Sequence, residues 1–277
     1  MERIPLRKLF NPAETFVSLW KTRDLLIQIV QRNIQSRYKA SMFGLFWMLA
    51  TPLFMLAIYT FVFSMIFQAR WGETFGESKA AFALILFCGL TLFTVFSESI
   101  NSSVGVIPSH QNYVKKVVFP LEILPVASVL SALVFGLVSI AILLAGLGFV
   151  LHSLTVTAIC LPLILLPLLL LSTGLAWFVA SLGTYFRDLQ HVVGILLQML
   201  FFMTPIFYLI ERIPESFRFV LQLNPLASLV QQTRQILIFG QWPDWGNLFL
   251  LTCASLLIFQ LGYVWFMKTK RGFADVL

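Results

Sequence analysis

Apolar residues along this chain fall into blocks that are long and uninterrupted by charge. Residues 40–69, 123–186, 189–210 and 245–267 contain no Asp, Glu, Lys or Arg. A bilayer core of about 30 Å is crossed by about 20 helical residues, so each block spans at least once. The 123–186 block would run about 96 Å as a single helix, so it must turn. Its most polar stretch is LHSLTVT, 151–157, which marks the turn. The pattern predicts six spans, near 46–67, 81–102, 123–150, 158–183, 191–210 and 247–267. Backbone groups in lipid must be bonded within their own segment, so the spans are helices. The fold class is an all-α integral membrane protein, one transmembrane domain over 1–277. Residues 1–45 form a cytosolic tail and interface helix, 46–267 the six-helix bundle, and 268–277 a cytosolic tail.

Two segments outside the spans are periodic. TRDLLIQIVQRNIQSRYKA (22–40) repeats Leu25, Leu26, Ile29, Val30 and Ile34 at helical spacing, with Tyr38 continuing the stripe. Arg23, Gln28, Arg32, Gln35 and Lys39 lie elsewhere around the wheel. A basic amphipathic helix of this kind lies in a membrane interface, either as a lipid anchor or as a gating element pressed between membrane and partner. Between spans five and six, residues 225–239 place Leu226, Leu229, Val230, Ile236 and Leu237 on one side. Gln231, Gln232, Arg234 and Gln235 fall on another. Fifteen residues reach about 22 Å. With 213–223 they predict short re-entrant helices dipping into the outer leaflet, or a surface pair capping the bundle.

Charge sets the orientation. Of the 19 Lys and Arg, only Arg70, Lys79, Arg212, Arg218 and Arg234 fall opposite the N-terminus in the six-span arrangement. The positive-inside rule therefore puts both termini in the cytosol. The first residues lack the apolar core and small-residue cleavage site of a secretory signal. Cys88, Cys160 and Cys253 are isolated in apolar runs, without metal or disulfide spacing, and are expected to be small buried hydrophobes.

Candidate chemistry is sparse. The chain has no GxxxxGK[ST] loop, HExxH or GxSxG. No His has a companion ligand at metal spacing, so no catalytic or metal residue is expected, and no cofactor bound by this chain. Glu98, in LFTVFSESINSS, breaks the apolar pattern of span two. An intramembrane carboxylate is costly and tends to face a bundle interior or water, so Glu98 with Asn101 is a candidate for a translocation path. The other reading is that Glu98 reaches the headgroups. In span one Trp47, Phe54 and Phe61 recur every seven residues on one face. Such aromatics pack or touch lipid, and their faces also suit sugar rings.

Four stretches in this order resemble a known family. They are RDLLIQIVQRNIQSRYKASMFGLFWMLATPL (23–53), YVKKVVFPLEILP (113–125), YFRDLQHV (185–192) and NPLASLVQQTRQILI (224–238). Together they are similar to the membrane permeases of ATP-binding-cassette exporters that move O-antigen, capsule or teichoic acid. The resemblance spans roughly Arg23 to Arg271.

That resemblance implies a homodimer in the bacterial cytoplasmic (inner) membrane, with a channel at the dimer interface. It implies two separate cytosolic ATPase subunits that bind ATP and Mg, a lipid-linked polysaccharide substrate, contacts with membrane lipids, and no nucleic acid. It assigns ATPase coupling to Gln111, Tyr113, Lys115, Lys116, Arg187 and Asp188. It assigns the gate helix to Arg32, Arg37, Tyr38 and Lys39, and the outer segment to Asn224 and Pro225, with Arg234 in the same segment. Glu98 matches no family motif and rests on position alone. The competing readings are a permease for a small lipid or drug and, further off, a membrane enzyme acting on lipid-linked sugars.

Overall fold

The structure is a computed structural model that describes residues 11–38, 42–44, 46–62, 79–115, 119–149, 151–152, 154–208, 221 and 223–277. The described residues are helical, with no strand among them. The helices are α1 (Pro12–Lys21), α2 (Arg23–Tyr38), α3 (Phe46–Tyr59), α4 (Lys79–Val104), α5 (Gln111–Lys115), α6 (Ile123–Phe149), α7 (Leu161–Tyr185), α8 (Leu189–Met203), α9 (Pro225–Leu237), α10 (Trp245–Thr269) and α11 (Phe273–Val276).

Among the described residues four helices are long and apolar enough to cross a membrane: α4, α6, α7 with the 3-10 turn before it, and α10. The turn predicted at 151–157 separates α6 from α7, and His152 there takes φ 51°. The expected first and fifth spans are represented by shorter apolar helices, Phe46–Val62 and Leu189–Met203. The expected fifth span, 191–210, is cut short for a local reason. Pro205 biases Thr204 toward extended backbone, and Thr204 sits at φ −94°, ψ 129°. The Thr204 hydroxyl donates back to the Leu200 carbonyl at 2.8 Å. At 15 residues α8 reaches about 22 Å.

Small residues set the helix crossings, as expected where apolar lipid offers little drive for helices to associate. α7 and α10 pack most extensively. A Cβ on Gly262 would overlap the Gly174 carbonyl, and one on Gly174 would meet the backbone of Ile258 and Phe259. Below this crossing Trp177 is fully buried. Its ring lies 4.9 Å from Phe259 and 5.2 Å from Tyr263, and its indole N–H donates to the Glu122 carbonyl at 2.8 Å. α4 is central, touching α3, α6, α7, α8 and α9.

One end of the bundle is basic. There Lys270 pairs with Glu122 at 2.6 Å, the Ser181 hydroxyl donates to Thr269 Oγ1 at 2.7 Å, and the Tyr185 hydroxyl donates to the Thr269 carbonyl at 3.0 Å. At the opposite end the hydroxyls of Thr155 and Thr157 donate to the Ile236 carbonyl, fixing α9 beside the α6–α7 turn.

Two expectations need correction. The apolar stripe of α2 does not face lipid: Leu26 and Ile29 are buried in a cluster with Leu124 and Ala127, and α2 packs on α6. The exposed apolar face belongs to α1, where Trp20 is 69% exposed, while Phe16 stacks on Phe259 at 5.1 Å. α1 starts at an Asn11-Pro12 cap, with the Asn11 side chain accepting from the Ala13 N–H. Finally, Cys88 and Cys160 are buried but Cys253 is exposed, on the α10 face it shares with Phe249, Leu250, Leu257 and Leu261.

Candidate functional site

The site is built where α2 crosses the basic end of α4. Arg37 Nη1 meets Glu98 Oε1 at 2.7 Å, and the guanidinium lies 4.7 Å over the Phe135 ring. Both charged side chains remain partly exposed. Two cavities open on either side of this pair. One, about 520 Å³, lies between α3, α4 and α6 and is largely apolar, lined by Trp47, Met55, Tyr59, Leu90, Phe93 and Phe201 among others. The other, about 490 Å³, is polar, lined by Asn33, Ser36, Asn101, Ser102, Ser128, Ser131 and Gln190 among others. Arg37, Glu98, Ala132 and Phe135 line both. The ion pair is thus the partition between an apolar and a polar chamber.

Five residues toward the N-terminus, Arg32 fastens the same helix to the segment before α6. Its guanidinium donates to the Tyr113 hydroxyl at 3.0 Å and to His110 Nε2 at 2.7 Å. Arginine only donates, so Nε2 accepts and the His110 proton sits on Nδ1, 2.8 Å from the Val106 carbonyl. His110 stacks on Tyr113 and Tyr113 on Phe119, which stiffens the α5 region. Sequence gave no sign of His110 in this role, because the contact spans 78 positions. Lys270 with Glu122 was equally invisible for the same reason.

Among the predicted site residues, the structure brings Arg32, Arg37, Tyr113, Glu98 and Asn101 together. Asn101 accepts from Gln190 Nε2 at 2.8 Å, tying α4 to the start of α8. Gln111 and Lys115 on α5 are exposed at the basic end, as are Arg187 and Asp188 in the α7–α8 turn. Tyr38 ends α2; Lys39 and Lys116 lie outside the described residues. In the aromatic set Trp47 lines the apolar chamber, but Phe54 and Phe61 do not and are 60% and 55% exposed. A seven-residue repeat keeps side chains on one face without saying which way that face points. The face that lines the chamber is Met48, Thr51, Pro52, Met55 and Tyr59.

At the opposite end Asn224 and Pro225 start α9. The Asn224 side chain accepts from the Leu226 N–H and donates to Thr204 Oγ1, with Pro225 in the first turn. Arg234, on the polar side of the α9 wheel, is enclosed by protein. It is buried at 5% exposure, with Gln232 and Thr233, because α4, α7 and the 156–160 turn enclose α9. Its guanidinium donates to the carbonyls of Pro205 and Ile206, each at 2.7 Å, and of Ile85 at 3.3 Å. The expected helix over 213–223 lies almost wholly outside the described residues. Among the described residues no three His, Cys, Asp or Glu gather as a metal site.

The described residues form an apolar helical bundle, with several helices of membrane-spanning length and an Arg37–Glu98 pair bordering two cavities, as in a multi-pass membrane protein. The chain belongs to the ABC-2 type transporter family, matched over residues 24–238. It is similar to the O-antigen export system permease protein RfbA of Klebsiella pneumoniae, 27% identical over 92% of this chain and 95% of that protein. The permease of the same name from Myxococcus xanthus is 29% identical over 93% and 96%. The polysialic acid transport protein KpsM of Escherichia coli is 26% identical over 83% and 88%.

Proposed function

We propose that this chain is the permease subunit of an ATP-driven exporter of lipid-linked polysaccharide. It works as a homodimer with two cytosolic ATPase subunits and conducts glycan through a channel at the dimer interface. In this reading the chain crosses the membrane six times with both termini in the cytosol, and α9 belongs to a segment that dips in from the outer face. The names of the relatives support the substrate class. The observation that carries the mechanism is the pair of arginines on α2. Arg32 holds the 108–115 segment, and Arg37 holds Glu98 at the partition between the chambers. A push by the ATPase on 103–119 and 184–190 would be delivered through one helix, over about 7.5 Å, to that partition. A long glycan then moves by repeated strokes rather than in one enclosed step.

Loss of the gene is expected to trap polyprenyl-linked glycan on the inner side of the membrane; surface glycan at normal levels would rule the reading out. A small-molecule permease is favoured by one feature, an apolar chamber within the roughly 300–1,000 Å³ of drug-sized sites. That reading predicts accumulation of a small amphiphile with surface glycan intact.

A further inference from the structure

The residues after α10 read in sequence as a tail. In the structure they are wedged among the elements that the proposed function assigns to ATPase coupling, and the inference rests on that reading. Phe273 on α11 is fully buried. It meets Tyr185 edge-on at 5.9 Å and Phe266 at 5.5 Å. α11 touches both α5 and α7. Tyr185 is the last residue of α7 and stands directly before the Arg187–Asp188 turn, and its hydroxyl donates to the Thr269 carbonyl at 3.0 Å. Lys270 reaches Glu122, at the foot of α6, at 2.6 Å, with 15% and 12% of the two side chains exposed. Gly272 allows this approach, since a Cβ there would lie 2.6 Å from the Tyr185 hydroxyl.

We propose that the 270–276 segment is a positioning element: Phe273 and Lys270 hold α5 and the 186–188 turn in fixed relation, so that one ATPase movement is felt by both. Its surroundings fit that role better than simple capping. A cap needs only to cover α10, whereas this segment bonds or packs to α5, the foot of α6 and the end of α7. A partly buried ion pair is also screened by salt much less than a surface pair is.

The test uses the full chain in vesicles, with and without the ATPase partner. The variants are Phe273→Ala, the conservative Phe273→Leu, Lys270→Gln, and the swap Lys270→Glu with Glu122→Lys. Hydrogen exchange on the chain alone is expected to show 111–115 and 186–188 losing protection together in Phe273→Ala and Lys270→Gln. Phe273→Leu and the swap should keep most of it. With the partner present, glycan moved per ATP hydrolysed is expected to fall about fivefold or more in the first two variants, while co-purification and basal hydrolysis persist. Unchanged protection of either loop in Phe273→Ala, or an unchanged transport ratio in both disruptive variants, would overturn the inference. Wild-type chain that neither binds nor stimulates an ATPase would instead overturn the proposed function, leaving the exchange result to judge the positioning role.

Discussion

The arginines at the two ends of the bundle are held in opposite ways. At the basic end Arg37 faces Glu98 across 2.7 Å with both side chains still partly open to water, beside two cavities. At the other end Arg234 is enclosed, and its guanidinium donates to carbonyls from the α8–α9 connection and from α4. An ion pair in contact with water contributes about 0–1 kcal/mol, because water can replace either partner. A desolvated guanidinium has no such substitute: removing its carbonyl partners would leave a bare charge in a low-dielectric site. The first contact is exchangeable and the second is fixed. In the proposed function, where the drive comes from one side, this asymmetry would supply a releasable contact near the input and a rigid frame at the far end.

The largest effect is expected where the frame is broken. Arg234→Met leaves three buried carbonyls without their donor and should destabilise the protein by at least about 3 kcal/mol. Thermal unfolding of the purified chain in detergent reads this as a large fall in Tm. Arg234→Lys should recover only part of it, since one ammonium cannot serve carbonyls on separate elements as the planar fork does. A wild-type Tm in Arg234→Met would show that the far end is not fixed through this residue, and the contrast would fail.

A smaller effect should come from the start of the same helix. Asn224 caps α9 and also bonds Thr204. Asn224→Ala should cost about 1–2 kcal/mol, and Asn224→Asp should recover the cap but not the donation to Thr204. If the two variants unfold at the same temperature, the cap contributes nothing and the Thr204 bond alone holds the connection.

The same contrast explains which features the sequence disclosed. Long apolar blocks disclosed α4, α6, α7 and α10, because lipid leaves a backbone few options. The course of α9 was readable from the spacing of apolar residues over 225–239, since helical periodicity is local. What could not be read is whatever depends on which neighbour a helix face meets. The α2 stripe looked like a surface for lipid, and the surroundings of the polar side of α9 were left open between a re-entrant helix and a surface cap. Packing on α6 claimed one, and enclosure by α4 and α7 claimed the other. Phe54 and Phe61 share the periodicity of Trp47 yet point away from the chamber. Contacts between distant segments, such as Arg32 with His110 and Lys270 with Glu122, leave no trace in spacing.

The smallest stability effect and the most specific functional one should come from the exchangeable contact. Arg37→Gln and Glu98→Gln each remove one partner of a water-accessible pair, so each should shift stability by about 1 kcal/mol or less. If the pair is the partition between the chambers, both variants should nonetheless change export in vesicles at unchanged Tm. The swap Arg37→Glu with Glu98→Arg should restore part of the wild-type behaviour. The cation also stacks over Phe135, and the swap places its replacement on α4 instead, so full recovery is not expected. Raising ionic strength should push wild type toward the single variants, because salt screens charges open to solvent, and should leave Arg37→Gln unaffected. Equal export in wild type and both single variants at low salt would reduce the pair to a surface contact. A large loss of Tm would make it a second fixed point, and the two ends of the bundle would no longer differ in kind.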